Sequence, residues 1–515
     1  MHDPFLLNDM TPAAERVRQA IDGKEKVLVY GDYDVDGITG TTLLVSVLKK
    51  LGSQVSYYIP HRIKDGYGLN KRAIDKASQE GINLIITVDC GITALEEIDY
   101  IRHRGMEIIV TDHHQPGENL PQAVAIINPV RKDSSYPFRE LSGVGVVFKL
   151  VQVLEMQSKN SHLSTDVWKH LDLVALGTIA DVVPLTGENR ILVKYGLREL
   201  SQTQKPGLQA LLEVTGIEGK QITPTHVGFI LAPRLNAGGR LGEAERGVKL
   251  LLAESKEEAF PLAQSLDREN KRRQQIGGRT TEEGISKVKE EVNLESEKVI
   301  VLADEAWHPG IIGIVASRLV EKFYRPVILI ALNEGHGKGS ARSIESFHLF
   351  QALRECEDLL VALGGHSLAA GLTITQDKIK HLRERMNEIA HSQLSEEDLT
   401  PKVKIDSQLS LKDIDLKLLE SLDRLGPFGK GNTKPLFTSA GVNLLDSPYL
   451  VKNNHLKLRV TEGGPVREAI GFKMGDKLSL LTGENTGVDL AYSLEINEWR
   501  GAKTIQLHLK DIRLS

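Results

Sequence analysis

Residues 27–37, VLVYGDYDVDG, decide the fold of the amino-terminal part of the chain. The apolar run 27–30 ends at a glycine, as a short buried strand does, and Asp32, Asp34 and Asp36 follow at alternate positions. Alternate positions of an extended loop face one side, and open α/β sheets bind their ligands beyond the carboxyl ends of the strands. The stretch therefore predicts a buried strand that delivers three carboxylates to one edge of a sheet.

The alternation of apolar and polar segments continues on both sides of this stretch. Apolar runs of strand length alternate with stretches of helical spacing, a pattern typical of βαβ units. It predicts an α/β fold with a doubly wound parallel sheet, preceded by a helix over 11–21. The predicted strands are 27–30, 55–59, 84–88, 108–111 and 124–127, with a helix over 38–51 after the first.

The remainder of the chain predicts three further parts. Residues 254–292 indicate one long connecting helix, despite Pro261 near its start. A second α/β pattern covers 299–392, and short strands after Pro401 predict a small all-β antiparallel barrel. The predicted parts are 1–250, 251–295, 296–398 and 399–515.

Acidic residues also stand at the ends of other predicted elements. Asp89 follows one strand, Asp112-His113-His114 follows another, and Asp181 ends a predicted helix. Because the carboxyl ends of parallel strands meet at one edge of a sheet, we expect these side chains to lie together. Carboxylate and imidazole ligands without thiolate suit Mn²⁺ or Mg²⁺ better than structural zinc. For each residue alone, the alternative is a solvated loop side chain.

A calcium-binding loop is the competing explanation for the acidic residues at 32–36. Such a loop needs a glutamate at its twelfth position, and that position, counted from Asp32, is Leu43. The calcium loop also follows a helix, whereas these acids follow a predicted strand. The sequence therefore disfavours calcium.

The composition is that of a globular protein. Of the 515 residues 41% are hydrophobic and 26% charged, and the formal net charge is −5. There is no membrane-length apolar run and no signal-peptide layout at the start, so we expect a cytoplasmic protein with no membrane partner. Residues 401–515 carry 17 Lys and Arg against 14 Asp and Glu, while the first 400 residues carry 47 against 55. This asymmetry fits a phosphate-tracking module on an acidic body, or is a chance fluctuation.

These motifs resemble those of a known family. Residues 31–37, Asp89, Asp112-His113-His114 and Asp181 are similar, in order, to the four motifs of the DHH phosphoesterase superfamily. Within it, the chain resembles the bacterial single-stranded-DNA-specific exonucleases over essentially its whole length. The wider superfamily usually has histidine where this chain has Asp32. The supporting segments are 66–69 (GYGL), 127–129 (INP), 181–190 (DVVPLTGENR), 233–241 (PRLNAGGRL), 307–313 (WHPGIIG), 364–366 (GGH) and 425–432 (LGPFGKGN).

The resemblance implies an architecture and an activity. It implies a DHH catalytic domain over 1–250, a connecting helix over 251–295, a DHHA1 substrate-binding domain over 296–398 and an oligonucleotide-binding (OB) barrel over 399–515. A short leading extension and an extra C-terminal domain of longer relatives are expected to be absent. The implied activity is 5′-to-3′ hydrolysis of single-stranded DNA to 5′-mononucleotides, in DNA repair and recombination. The expected partners of this monomer are single-stranded DNA, a single-stranded-DNA-binding protein and a RecQ-type helicase.

Two other functions stay open at this point. One is a DHH/DHHA1 phosphodiesterase that acts on oligoribonucleotides or cyclic dinucleotides, which would leave the barrel without an obvious use. The other is a non-catalytic replication-fork relative, which the intact acidic motifs disfavour.

The resemblance also implies residue roles. The expected ligands of two divalent cations, Mn²⁺ or Mg²⁺, are Asp32, Asp34, Asp36, Asp89, His113 and Asp181. Asp89 is expected to bridge the two ions, His114 to contact the scissile phosphate, and Asp112 to act with them as a catalytic residue.

Phosphate must also be gripped by cations and backbone amides. We expect Arg234, Asn236 and Arg240 to do so from a Gly-rich turn, together with Ser340 and Arg342. Gly364, Gly365 and His366 are expected to form an anion-binding nest.

Two further groups of residues are ambiguous. The basic run 271–273 is expected to be a solvated helix face, with DNA contact as the alternative. In the barrel, Tyr449, Phe472, Tyr492 and Trp499 could stack bases, beside Lys452, Lys457, Arg459 and Arg500, although core packing explains aromatic residues equally well.

Overall fold

The structure is a computed structural model. It describes residues 1–62, 65–66, 68–157, 167–241, 243–481, 487–499 and 502–515. Tyr67 and Arg500 lie outside the described residues, as does the side chain of Trp499. Two compact units are present: Met1–Val183 with Gly187–Pro401, and Pro184–Thr186 with Lys402–Ser515. No helix among the described residues combines the length and the apolarity needed to cross a bilayer.

The first unit opens with a five-stranded parallel sheet. Its strand order is β2-β1-β3-β4-β5, so the order reverses at β1, and β3 is buried along its whole length. A strand that is covered on both faces has a continuous apolar sequence, and for this reason the sequence predicted β1, β3, β4 and β5, whereas β2 was predicted although it is only partly buried. The strands are β1 Lys26–Gly31, β2 Gln54–Tyr58, β3 Leu84–Val88, β4 Glu107–Thr111 and β5 Ala125–Ile127.

Eleven helices lie before residue 253 among the described residues. The opening helix and the helix after the first strand are confirmed, and α6 delivers Asp181 at its carboxyl end, as predicted. The helices are α1 Met10–Asp22, α2 Val35–Lys50, α3 Lys71–Gln79, α4 Leu95–His103, α5 Gly143–Met156, α6 Leu171–Ala180, α7 Gly187–Ser201, α8 Pro206–Val214, α9 Pro224–His226, α10 Ala232–Leu241 and α11 Glu245–Leu252.

The segment 233–241 is helical, so the predicted Gly-rich turn is wrong. It forms most of α10, and its two glycines permit close approach rather than a turn. A Cβ on Gly239 would lie 2.8 Å from the carbonyl oxygen of Tyr33, and one on Gly238 would lie 3.0 Å from that of Glu243. Gly239 therefore lets α10 pack directly against the acidic loop after β1, and Gly238 leaves room for the backbone at Glu243.

The predicted connecting helix is confirmed as α12, Lys256–Glu291. Its 36 residues extend about 54 Å, and Ser255 caps its start by accepting a hydrogen bond from the Glu258 N–H. Gly277 and Gly284 lie on the face that packs against the following helix.

A second sheet follows α12 in the first unit. Its order is β6-β7-β8-β10-β9, with β6 and β7 parallel and the other pairs antiparallel. Gly364, Gly365 and His366 lie in the strand β9, so the predicted nest, which requires a turn, is wrong. The elements are β6 Ile300–Asp304, α13 Ile312–Phe323, β7 Val327–Asn333, β8 His336–Arg342, α14 Leu349–Arg354, β9 Leu360–His366, β10 Ala369–Thr375 and α15 Ile379–Gln393.

The second unit contains the predicted barrel. Strands β12, β16, β17, β15 and β14 pair in that order, and β14 pairs back to β12, which closes the ring. Three departures from an all-antiparallel, all-β unit are the parallel pairing of β15 with β17, the parallel pairing of β11 with β12 and the helix α16. The elements are β11 Ser407–Gln408, α16 Leu416–Asp423, β12 Phe437–Leu444, β13 Tyr449–Val451, β14 His455–Thr461, β15 Arg467–Gly471, β16 Gly487–Trp499 and β17 Ala502–Leu514.

The barrel aromatics divide between core and surface. Tyr492 is fully buried and its hydroxyl hydrogen bonds to that of Ser439, so it belongs to the core. Tyr449 and Phe472 are about half exposed, at 48% and 51%, and are accessible to a ligand.

Candidate metal and phosphate site

Three acidic residues, each directly after a strand, lie at one edge of the first sheet. The backbone N–H of Asp32 donates to the Val88 carbonyl, that of Asp89 to the Thr111 carbonyl, and that of Asp112 to the Ile127 carbonyl, over 3.0–3.2 Å. Each residue that leaves a strand is thus fixed by the end of the neighbouring strand. Because the strand order reverses at β1, this edge is the position at which such sheets bind ligands.

The loop after β1 is organised by its own carboxylates. Asp34 caps α2 and accepts hydrogen bonds from the N–H groups of Asp36 (2.9 Å) and Gly37 (3.1 Å). Asp36 is buried and accepts from the N–H groups of Gly143 (2.6 Å) and Val144 (2.8 Å), at the start of α5. A helix N-terminus favours a negative charge, so the two helices hold these carboxylates in place.

Asp89 has a constrained position between the strands. Its φ of 63° lies in the left-handed region, which Asp tolerates better than most residues do. A Cβ on Gly143 would lie only 2.7 Å from the Asp89 Cβ and 2.8 Å from its Oδ1. The absence of a side chain at residue 143 therefore makes room for the Asp89 carboxylate.

His113 stands among three carboxylates. Its Nε2 lies 3.1 Å from Asp89 Oδ1, 3.6 Å from Asp181 Oδ2 and 3.9 Å from Asp36 Oδ2, and its ring also hydrogen bonds to the backbone of Leu141. Burial, and then the charge of the neighbouring His114, lower the pKa of His113 to about 4. The imidazole is therefore neutral near pH 7, which is the form that ligates a metal.

His114 has the opposite electrostatic environment. Its Nδ1 lies 2.7 Å from Asp112 Oδ1. Burial alone would lower the pKa of His114, but the hydrogen bond and charge of Asp112, with the charges of Asp181 and Asp34, raise it to about 9. His114 is therefore a cation at neutral pH.

Asp112 is fully engaged by its neighbours. Besides His114, it accepts hydrogen bonds from the backbone N–H groups of Ile92, His113 and His114 over 2.7–3.1 Å. Burial would raise the pKa of Asp112, but the hydrogen bond and charge of His114 outweigh burial and lower it. This geometry suits a residue that orients His114 rather than one that touches the reacting atoms.

The donor atoms form three overlapping clusters that fit metal ions. In each cluster the ligand atoms lie within 4.8 Å of one another, and Asp89 and His113 each belong to two clusters. Within the described part of the chain, Asp32 Oδ1 is buried and has no hydrogen-bond partner. The clusters are Asp89 with His113 and His114, Asp36 with His113 and Asp181, and Asp32 with Asp34 and Asp89.

The buried carboxylates are electrostatically costly without cations. Burial, and then the charge of Asp34, raise the pKa of Asp36 to about 7. Burial followed by the charges of neighbouring carboxylates also raises the pKa values of Asp32 and Asp89 well above their usual range. Oxygen and imidazole donors without sulfur suit Mn²⁺ or Mg²⁺, and such ions would neutralise this charge.

Arg62, Arg240 and Arg342 lie near one another and near the acidic loop. Burial, and then the charges of Arg62, Arg273 and Arg342, lower the pKa of Arg240 to about 10, while the charge of Asp34 opposes this change. The guanidinium of Arg240 donates to the Gly310 carbonyl over 3.3 Å. Like charges in such proximity indicate a site for an anion.

Arg342 reaches this group from the second sheet. Its guanidinium donates to Ser340 Oγ (3.2 Å) and to the Ala341 carbonyl (2.7 Å). A Cβ on Gly313, in the first turn of α13, would lie 2.8 Å from Ser340 Oγ and 3.1 Å from Arg342 Nη2. Ser340 and Arg342 therefore lie together against the start of α13.

Arg62 also belongs to this group, although no motif in the sequence predicted it. This residue follows the carboxyl end of β2, and its guanidinium lies 5.1 Å from the centroid of the Tyr33 ring. Its charge acts on Asp32, Arg240 and Arg342. A basic residue just beyond a strand of the same sheet was the available signal.

The other predicted phosphate contacts lie apart from this group or are already engaged. Arg234 donates to Asp267 Oδ1 (2.9 Å) and to the Ile230 carbonyl (2.6 Å). Asn236 is half-buried on α10, whereas Gly364, Gly365 and His366 are exposed on β9. Their substrate-binding roles stay predictions.

Comparisons with known proteins agree with this geometry. Residues 26–178 match the DHH family, N-terminal domain, residues 296–392 match the DHHA1 domain, and residues 405–511 match the RecJ OB domain. The single-stranded-DNA-specific exonuclease RecJ of Bacillus subtilis is 41% identical over 518 residues, which cover 100% of this chain and 64% of that protein. The chain thus spans just under two thirds of the length of this relative.

Two further relatives match over most of their length. RecJ of Dickeya dadantii is 37% identical over 99% of this chain and 91% of that protein. The crystal structure of RecJ in complex with Mn²⁺ from Thermus thermophilus superposes with a TM-score of 0.84, at 33% identity, over 98% of this chain and 72% of that one.

Proposed function

The chain belongs to the RecJ family of single-stranded-DNA-specific exonucleases, and we propose that it removes 5′-mononucleotides one at a time from the 5′ end of single-stranded DNA. One observation carries this proposal. A buried cluster of carboxylates that cations would neutralise and a cluster of arginines that would bind an anion lie close enough for their charges to act on one another. A phosphodiester bound across divalent ions and guanidinium groups satisfies both requirements.

Two divalent cations, Mn²⁺ or Mg²⁺, fit the carboxylate cluster. The proposed ligands are Asp32, Asp34, Asp36, Asp89, His113 and Asp181, with Asp89 as the bridge because it belongs to two of the overlapping clusters. When bound, such a pair of ions lowers the pKa of a water and stabilises both the attacking and the leaving oxygen. The protein keeps His113 neutral and holds Asp36 with two backbone N–H groups, so the ligands are preorganised.

His114 has a proposed role in stabilising the transition state. Its protonated imidazole is held by Asp112 and lies at the edge of the carboxylate cluster, with its Nδ1 3.8 Å from Asp89 Oδ1. We place the ring edge that carries Nε2 against a non-bridging oxygen of the scissile phosphate, where negative charge accumulates during hydrolysis. Asp112 is then a positioning residue.

The arginine cluster accounts for the proposed direction of digestion. A 5′-terminal phosphate carries more charge than a phosphodiester, and Arg62, Arg240 and Arg342 offer it several guanidinium donors beside the metal cluster. Ser340, which hydrogen bonds to Arg342, adds a hydroxyl. Holding the terminal phosphate there would leave the first internal phosphodiester at the cations. Arg234, Asn236, Gly364, Gly365 and His366 are proposed contacts to the rest of the strand.

The remaining assignments follow from family membership. We assign residues 1–250 to the catalytic domain, 251–295 to the connecting helix, 296–398 to the DHHA1 domain and 399–515 to a single-strand-binding OB domain. A closed five-stranded barrel with exposed aromatic side chains supports the last assignment and leaves the small-substrate alternative without a use for this unit. We further propose a cytoplasmic monomer in DNA repair and recombination, with a single-stranded-DNA-binding protein and a RecQ-type helicase as partners.

Digestion of end-labelled strands tests the proposal. With Mn²⁺, a 5′-labelled single strand should release its label as mononucleotide at once, whereas a 3′-labelled strand should shorten progressively. Arg342→Gln should raise the KM for a 5′-phosphorylated strand much more than that for a 5′-hydroxyl strand. Immediate release of a 3′ label, or equal effects of the substitution on both strands, would contradict the proposed polarity.

A further inference from the structure

The buried face of α12 carries polar side chains that do not belong to the metal and phosphate site. Asp267, Asn270, Arg273 and Gly277 lie within one third of the helix circumference. Asn270 is only 1% exposed, and among the described residues neither its Nδ2 nor its Oδ1 has a hydrogen-bond partner. The Arg273 Nε is also buried without such a partner in the described part of the chain. Buried polar groups in this condition normally have a ligand or water.

Two neighbouring helices bring further guanidinium groups to this face. Arg234 of α10 is held by Asp267, and Asp267 also pairs with Lys271 (2.8 Å). Arg318 of α13 donates to the Gly277 carbonyl and to Thr281 Oγ1, each over 3.2 Å. Burial, and then the charges of Arg318 and Arg234, lower the pKa of Arg273.

This group of positive charges is poorly neutralised. Among the described residues, the hydrogen bonds and ion pairs of Arg273 and Arg318 include no carboxylate, and Asp267 is already shared between Arg234 and Lys271. The charge of Arg273 also acts on Arg240, so the group continues from the arginines beside the metal cluster. The charges of the arginines on the long helix therefore act on those at the proposed terminal-phosphate site.

We infer that Arg273, Arg318 and Asn270 form a second phosphate subsite, which binds a phosphodiester of the strand farther from its 5′ end than the reacting one. Guanidinium and amide N–H groups are donors suited to phosphate oxygens, and the absence of an aromatic side chain from this set argues against base stacking. This inference rests on the proposed function and adds a contact that only strands longer than the dinucleotide can make.

The test compares salt dependence in matched variants of the full chain. Binding of a long 5′-phosphorylated oligo(dT) is measured in EDTA over a range of NaCl concentrations, for wild type, Arg273→Gln, Arg318→Gln and Arg273→Lys. The control is Arg268→Gln, which removes the same charge from an exposed position of the same helix. Melting temperatures of all variants are compared with that of the wild type.

The expected result is weaker strand binding in the subsite variants with unchanged hydrolysis of the dinucleotide. Each phosphate contact that is lost should reduce the slope of log Kd against log salt by about 0.7. The Kd should rise about tenfold for Arg273→Gln and for Arg318→Gln, and Arg273→Lys should restore the slope. Arg268→Gln should match the wild type, and hydrolysis of a 5′-phosphorylated dinucleotide should be unchanged in every variant.

Three outcomes would overturn the inference. The first is an unchanged salt slope in Arg273→Gln, and the second is an equal loss of dinucleotide and long-strand hydrolysis. The third is weaker inhibition by free mononucleotide without weaker strand binding, because that result would mean that Arg273 and Arg318 bind the product. A wild-type chain that binds strands but does not hydrolyse them would refute the proposed function alone, because the salt slopes would still report on the subsite.

Discussion

Replacing Asp36 by asparagine should stabilise the metal-free protein at neutral pH. Asp36 is fully buried among carboxylates, and its pKa of about 7 lies well above the ordinary value of 3.8. The folded protein therefore keeps the proton up to about pH 7, whereas the unfolded chain releases it near pH 4. Stability must fall as the pH rises through this window, because the folded state binds more protons than the unfolded state.

The size of the effect follows from the pKa. A rise from 3.8 to about 7 corresponds to a loss on the order of 4 kcal/mol above pH 7, relative to a neutral side chain at the same position. The two Asp36 oxygens accept hydrogen bonds from the Gly143 and Val144 N–H groups, and Asp36→Asn replaces one of these oxygens by an amide NH₂, which cannot accept. Relative to the ionised carboxylate above pH 7, this loss lowers the stability of the variant by about 1–3 kcal/mol. The pH-dependent part of the difference is therefore the diagnostic quantity.

Urea unfolding in EDTA from pH 4.5 to pH 8.5 measures this difference. The variant should gain stability relative to the wild type as the pH rises, and saturating Mn²⁺ should reverse the order, because only the wild type keeps all its ligands. Asp133→Asn is the pH-independent control: the Arg131 hydrogen bond lowers the pKa of this exposed carboxylate below its ordinary value of 3.8, so the group is ionised in both the folded and the unfolded state throughout this range, and the difference from the wild type should not change with pH. A pH-independent difference for Asp36→Asn would refute the argument that burial makes this carboxylate costly.

Three further predictions test the geometry. Gly143→Ala places a methyl group 2.7 Å from the Asp89 Cβ, so Asp89 must shift, and kcat/KM should fall about 100-fold with a measurable loss of melting temperature; near-wild-type kinetics would show that the position of Asp89 is uncritical. Asp112→Asn should move the alkaline limit of activity from about 9 toward 6.5, the ordinary pKa of histidine, with a loss of about 30-fold at pH 8 and a smaller loss at pH 6. A parallel loss at both pH values would argue against a charged His114. Removing residues 402–515 should weaken binding to long single strands much more than hydrolysis of short ones, and equal losses would argue against a separate binding module.

The sequence predicted the sheet and its acidic edge well. β3 is buried on both faces, so it appears in the sequence as a bare apolar run, and the predicted bounds 84–88 are those observed. Asp32, Asp89 and Asp112 follow their strands directly, so their meeting at one edge required only that the strands be parallel. The sequence is sufficient here because a residue that directly follows a parallel strand must lie at the carboxyl edge of the sheet.

Features that depend on packing between distant segments were predicted less well. The glycines of 233–241 suggested a turn, but they lie in a helix, and Gly239 serves the contact of α10 with Tyr33, which lies far earlier in the chain. Gly365 suggested a nest, but a Cβ there would lie 2.5 Å from the Ala369 carbonyl oxygen across the β9–β10 pair. Arg62 belongs to no motif, and its position beyond β2 does not by itself indicate that its charge acts on Arg240 and Arg342, which lie much later in the chain.

The number and coupling of Mn²⁺ ions bound by the cluster test the central claim most directly. Electron paramagnetic resonance of the metal-depleted protein, titrated with Mn²⁺, should show two ions per chain with the exchange-coupled spectrum of a carboxylate-bridged pair. Asp89→Asn should abolish the coupling and the nuclease activity together, because Asp89 belongs to two of the overlapping donor clusters. Two uncoupled ions, or a coupled pair that survives in Asp89→Asn, would contradict a two-cation site bridged by this residue.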